Sequence, residues 1–88
     1  MIDEIDGATV IEYTIDGDFG FVKYEDGHRE TITVLAICSY DHKEYYLFAC
    51  DSLFNVLGDT VHRSKDEASI FANEYYGKEE IHWMKINE

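Results

Sequence analysis

The side chains here that could do chemistry are two cysteines, four histidines, nineteen carboxylates and the serines Ser39, Ser52, Ser64 and Ser69. A metal site needs Cys and His at short, repeated spacing. Cys38 and His42 are the one near pair; His28, His62 and His82 lie far apart, and no CxxC or HxxxH pattern occurs. Nucleophilic catalysis needs an activated Ser or Cys with a base and an oxyanion hole. Ser64 reads as a helix cap, and Ser39 and Ser52 stand beside turns without a glycine-rich elbow. The six glycines are scattered singly, so there is neither a phosphate loop nor a dinucleotide fingerprint. No enzymatic activity, metal or cofactor is expected.

The carboxylates are the strongest compositional signal. Seven basic residues stand against nineteen acidic ones, a formal charge of −12. That excludes binding to a nucleic-acid backbone, which depends on Lys and Arg, and disfavours an anionic membrane surface. It favours solubility, or a basic protein surface met by electrostatic steering. Residues 1–30 carry nine acids against Lys23 and Arg29. Glu12, Asp16, Asp18, Glu25 and Asp26 fall at turns or on the outward side of strands and are expected to share one edge. Such a patch can imitate phosphates and occupy the groove of a nucleic-acid-binding protein, as small phage inhibitors do. The alternative is a solvated sheet edge whose charge prevents aggregation. Seven tyrosines and Trp83 supply a second candidate surface. Tyr45 and Tyr75 either join an interface, where Tyr is enriched, or, with Tyr46 and Tyr76, roof the core with their hydroxyls at the rim.

These side chains need elements to position them. The chain is centred on 30–50, two strands around the polar turn Asp41-His42-Lys43. Ile32, Val34, Ala36 and Cys38 alternate on one face, and Leu35 and Ile37 make the other face apolar too, as in an interior strand. If Tyr40 opposes Lys43 or Glu44, opposed residues sum to about 83 or 84. Cys38 then faces Tyr45 or Tyr46, and a bond to Cys50 is out of reach of the ~7 Å that a disulfide allows. Two reduced core thiols are expected.

Before this centre, 1–7 reads as a loose start. Next come a strand over 8–15, with Glu12 and Thr14 outward, and a strand over 19–25. Asp16-Gly17 and Asp26-Gly27 are hairpin signals, giving a four-stranded antiparallel meander. After it, a short strand is expected over 54–57, with a helical turn as the alternative, and Gly58-Asp59 as a turn. Ser64-Lys65-Asp66-Glu67 fits a capping box opening a helix over 65–76. Ala68, Phe71, Ala72 and Tyr75 should face the sheet, and Gly77 should cap the end. A last strand is expected over 80–86.

The pattern Tyr24-Glu25-Asp26-Gly27, a β-rich run ending in Val34-Leu35, and Tyr40-Asp41-His42-Lys43-Glu44-Tyr45 resembles the YrzB-like family of small acidic Firmicutes proteins. His42 replaces the glycine usual in that family's Y-x-G-K-E-Y turn. About half the chain is covered. The resemblance implies a cytosolic bacterial protein without an assigned activity, and it transfers no functional residues.

The expectation is a single α+β domain over 1–88: an antiparallel sheet of five or six strands with one helix across a face. No apolar run approaches the ~20 residues of a membrane span, and the acidic opening is the reverse of a signal peptide, so a cytoplasmic location is expected. Two functions fit. One is a non-enzymatic bacterial or phage interaction domain, in its sharpest form a DNA-mimicking inhibitor of a basic nucleic-acid-binding protein; self-association is compatible with it. The other is a housekeeping domain holding a small ligand between helix and sheet. A long acidic stripe would favour the first, a closed apolar cavity under the helix the second.

Overall fold

The computed structural model describes residues 3–77 and 81–86. In chain order the elements are β1 (Glu4–Ile5), β2 (Ala8–Thr14), β3 (Phe21–Lys23), β4 (Arg29–Thr31), β5 (Val34–Ser39), β6 (Tyr45–Cys50), β7 (Val56–His62), α1 (Lys65–Tyr75) and β8 (Trp83–Lys85). The class is α+β, a curled antiparallel sheet with one helix. The sheet order is β1-β2-β5-β6-β7, with β8 on the free part of β2's other edge.

β5 and β6 are the centre. Their register sums to 84: Val34 opposes Cys50 and Cys38 opposes Tyr46. The two cysteines are therefore four rungs apart, about 13 Å at the ordinary strand rise, and both are free thiols. All six residues of β5 are buried. On one face Leu35, Ile37, Leu47 and Ala49 meet Ala68 and Ala72 of α1. On the other, Val34, Ala36, Cys38, Phe48 and Cys50 pack with Ile5, Ala8 and Val10. No helix of the described chain lies on that second face, so its burial comes from the sheet curling over its own side chains.

The four-stranded meander is not formed. β2 pairs directly with β5, while β3 and β4 stand apart as a two-stranded ribbon. The reason is competition for an edge. β8 occupies the side of β2 opposite β5, with Thr14 against Trp83 and Glu12 against Lys85, leaving no place there for a strand returning through Asp16-Gly17. The Gly17 N–H instead donates to the Thr33 carbonyl at 2.9 Å, lacing the ribbon's root to the start of β5. Asp26-Gly27 does close a hairpin. The Gly27 N–H donates to Tyr24 O, and Gly27 sits at φ +89°, where glycine is favoured. A further hairpin lies within the expected loose start. Asp6 and Gly7 have φ of 55° and 83° between the opposed pair Ile5 and Ala8, a two-residue turn.

Ile32 belongs to the helix-side cluster with Leu35 and Ile37, not with Val34, because the strand breaks at Ile32-Thr33. The short strand expected over 54–57 begins later and runs longer, through Gly58-Asp59 to His62. The turn lies before it: Asp51 accepts from the amides of Leu53 and Asn55, both at 2.9 Å, and Phe54 takes φ +64°. Helix α1 opens as expected, with Ser64 Oγ accepting from the Glu67 amide at 3.0 Å. It ends with the amides of Tyr76 and Gly77 both donating to the Ala72 carbonyl. The last strand is Trp83–Lys85; residue 80, where it was expected to begin, lies outside the described residues.

Candidate functional site

The five expected patch carboxylates separate. Glu12 is buried, at 8 % exposure. A bulge between Val10 and Glu12 resets the alternation of β2, so Glu12 faces the same side as Ile37, with Lys85 opposite it. It belongs to the sheet interior and not to an outward patch; the strand pattern had assumed a bulge-free edge strand. Thr14, likewise expected outward, is buried, and its hydroxyl accepts the Leu35 N–H at 3.0 Å. Asp16 and Asp18 are exposed at the ribbon's root, Glu25 and Asp26 at its tip, with β3 between them. Asp18 accepts from the Gly20 amide and Asp26 from the His28 amide.

The aromatic candidates sit on one row. Tyr45 is half-buried on the helix side, opposite His62 in the β6–β7 register. From His62 the row continues to Phe71 (5.0 Å between ring centres), Tyr75 (5.3 Å, stacked) and Tyr76 (4.9 Å, edge-on). Tyr75 was expected against the sheet and is instead 70 % exposed. Ala68 and Ala72 fill the contact line of α1, and Tyr75 lies at the helix's last turn, beyond it.

This row ends at a groove. The root of the ribbon and the C-terminal end of α1 stand apart, and two clefts open between them. One, of about 340 Å³, is bounded by Ile15, Asp16, Asp18, Phe19, Tyr76 and Ile81 among others. The second, of about 530 Å³, lies between Phe19, Phe21, Val22, Tyr75 and Tyr76. Phe19 and Tyr76 are common to both. The surface is apolar and aromatic, with Asp16 and Asp18 at one end. Burial pushes the Tyr76 phenol up, and Tyr75 adds to the shift, so Tyr76 remains a hydroxyl donor at neutral pH. On the ribbon, Arg29 lies over the Phe21 ring at 4.6 Å, a cation–aromatic contact of the kind that stabilises by about 0.5–1 kcal/mol at exposed sites.

Reading the sequence identified Asp16 and Asp18 but not Phe19, Phe21 and Tyr76 as their neighbours. The local signal was the interleaving Ile15-Asp16-Gly17-Asp18-Phe19. The contact with the helix end depends on the ribbon folding away from β2, which no local pattern encodes.

Among the described residues no three His, Cys, Asp or Glu side chains are grouped as metal ligands, and no helix is long and apolar enough to cross a membrane. Burial pushes the Cys38 and Cys50 thiols up to about 12, far from the range of an activated nucleophile.

Comparison with known proteins returns no match. Neither a family model, a curated protein nor a solved structure corresponds to the chain.

Proposed function

We propose that this chain is a non-enzymatic interaction domain that receives a basic segment of a partner protein in the groove between the ribbon root and the helix end. The observation that carries the reading is the convergence of Asp16 and Asp18 with Phe19 and Tyr76 around one open cleft. Aromatic faces accept the apolar stem of a Lys or Arg side chain and its cationic head. Carboxylates at the margin steer that head and exclude acidic competitors. The formal charge of −12 extends the attraction beyond the contact itself. A five-carboxylate imitation of a phosphate strip is supported less well than this groove, because Glu12 is buried and the remaining acids form two separated pairs.

The test is retention of proteins from bacterial lysate on the immobilised chain across a salt series, alongside the double variant Asp16→Asn/Asp18→Asn and the single variant Tyr76→Ala. A basic partner held at low salt should lose about tenfold or more in affinity with either variant, corresponding to at least ~1.4 kcal/mol. Release by duplex DNA would identify the partner as a nucleic-acid-binding protein. Unchanged affinity in variants that remain folded would remove the groove from the binding surface.

A further inference from the structure

The two edges of the main sheet are built differently. One is broken into short pieces, the two residues of β1 and the three of β8, and β8 carries Lys85. These are the devices by which sheets avoid adding strands. The other edge is β7, seven residues long, hydrogen-bonded among the described strands to β6 alone; its register shifts once, between Val56 and Gly58, and runs unbroken over 58–62. It contains no proline and no lysine, and its one charged residue is Asp59. The unbroken stretch presents a row of outward N–H and C=O groups able to hold an extended peptide.

Asp59 and Val61 lie on one face of β7, since they oppose Phe48 and Tyr46 of β6. Both are exposed, Val61 at 53 %. Tyr40 is beside them: it makes an edge-on contact with Tyr46 at 5.5 Å, and its hydroxyl donates to the Asp6 carbonyl. The edge therefore offers an apolar position and a carboxylate two residues apart on one face. A second copy is a poor occupant. Two chains of −12 repel, and an antiparallel pairing centred on the strand would set Asp59 against Asp59.

We propose that β7 is a strand-addition site for an extended, basic segment of another protein, entering antiparallel with an apolar residue against Val61 and, two residues later, a Lys or Arg against Asp59. The site is distinct from the groove and rests on the preceding reading only for the sign of the partner's charge. Backbone bonds to β7 supply affinity, while the apolar and basic side chains, two residues apart on one face, supply register.

The probe is a nine-residue acetylated peptide, Val-Thr-Lys-Thr-Val-Thr-Lys-Thr-Val, whose Val and Lys fall two residues apart on one face, titrated into isotope-labelled protein at low salt, with amide exchange read residue by residue. Amides on the outer edge of β7 should slow by about tenfold or more near saturation, as expected for amides newly engaged in a ladder. The effect should weaken as salt rises and be lost in Val61→Lys. Because Val61 is exposed, that variant should keep its native spectrum, and Asp59→Asn serves as a second variant that changes charge alone. Shifts confined to Phe19, Tyr75 and Tyr76, with β7 exchange unchanged, would overturn strand addition and leave the groove standing. Absence of any β7 protection at saturating peptide would overturn it as well. Protection of β7 that grows with protein concentration and needs no peptide would overturn it in favour of self-pairing.

Discussion

Thr14→Val tests the account of how the ribbon departs from the sheet. After the bulge, β2 and β5 stay paired as far as Tyr13 against Ala36. Beyond that pair the chains part, and the Thr14 hydroxyl accepts the Leu35 N–H at 3.0 Å in place of a ladder bond. Thr14 is 2 % exposed and Leu35 fully buried. Valine preserves the shape but leaves that amide buried with its acceptor removed, which costs about 1–3 kcal/mol. For a domain of this size each kcal/mol moves the melting temperature by about 4–8 °C, so a loss between about 4 and 24 °C is expected. Thr14→Ser separates the causes, since it keeps the acceptor and removes one methyl, a loss of about 0.8 kcal/mol. The measurement is urea unfolding followed by far-UV circular dichroism. Fluorescence of Trp83, the sole tryptophan, serves as a second probe because it sits opposite Thr14. The reasoning is refuted if Thr14→Val stays within about 0.5 kcal/mol of the parent, or if serine proves more damaging than valine.

Other outcomes follow from features already described. The Cys38 and Cys50 thiols are raised to about 12, first by burial, with Cys50 adding for Cys38 and Asp51 for Cys50. Their stabilising effect is whole below the ordinary thiol value of 9.0. It is lost as pH rises from there towards about 12, because the unfolded chain ionises first. The urea midpoint should fall over that window, less steeply in Cys38→Ala/Cys50→Ala, and neither thiol should react with a disulfide reagent at pH 8 before unfolding. His42 holds φ +61° in the β5–β6 turn. His42→Gly should be neutral or stabilising by up to about 1 kcal/mol, and His42→Val destabilising, since β-branched residues resist the left-handed region; chemical denaturation ranks the three. Ser64→Ala removes the acceptor of the Glu67 amide and should cost about 1 kcal/mol of unfolding free energy.

What could be read from the residues was mostly what neighbouring residues decide. The β5–β6 hairpin and its register, the capped opening of α1 and the Asp26-Gly27 turn depend on alternation, a four-residue cap pattern and glycine's left-handed freedom. Each signal is complete within a few residues. What could not be read was decided by strands distant in sequence. β8 takes the edge of β2 that Asp16-Gly17 seemed to reserve, and the bulge at Ile11 turns Glu12 inward. Gly58-Asp59 looked like a turn because its composition suits one. The turn formed earlier because the Asp51 carboxylate collects the Leu53 and Asn55 amides, and because the Asn55 side-chain amide donates to it at 2.9 Å. That last bond, with the backbone donors, also holds the Asp51 carboxyl below the usual range. His42 takes a left-handed backbone conformation in the β5–β6 turn, one that glycine adopts at no steric cost. The groove combined both kinds of information: its carboxylates were legible, while its aromatic walls came from opposite ends of the fold.

The pairing of β2 with β8 joins parts of the chain far apart in sequence. β5, β6 and β7 are joined by short connections and can form as soon as each hairpin closes. β2 reaches β5 only after the whole ribbon has been looped out between them. The contact of Thr14 with Trp83 spans most of the chain, and such non-local pairings form slowly. Ile81, which helps to bound the groove, lies just before β8 and takes its place with that strand. The groove's wall therefore depends on a pairing between parts of the chain far apart in sequence, and a variant that detaches β8 from β2 should lose the groove while β5 and β6 stay paired.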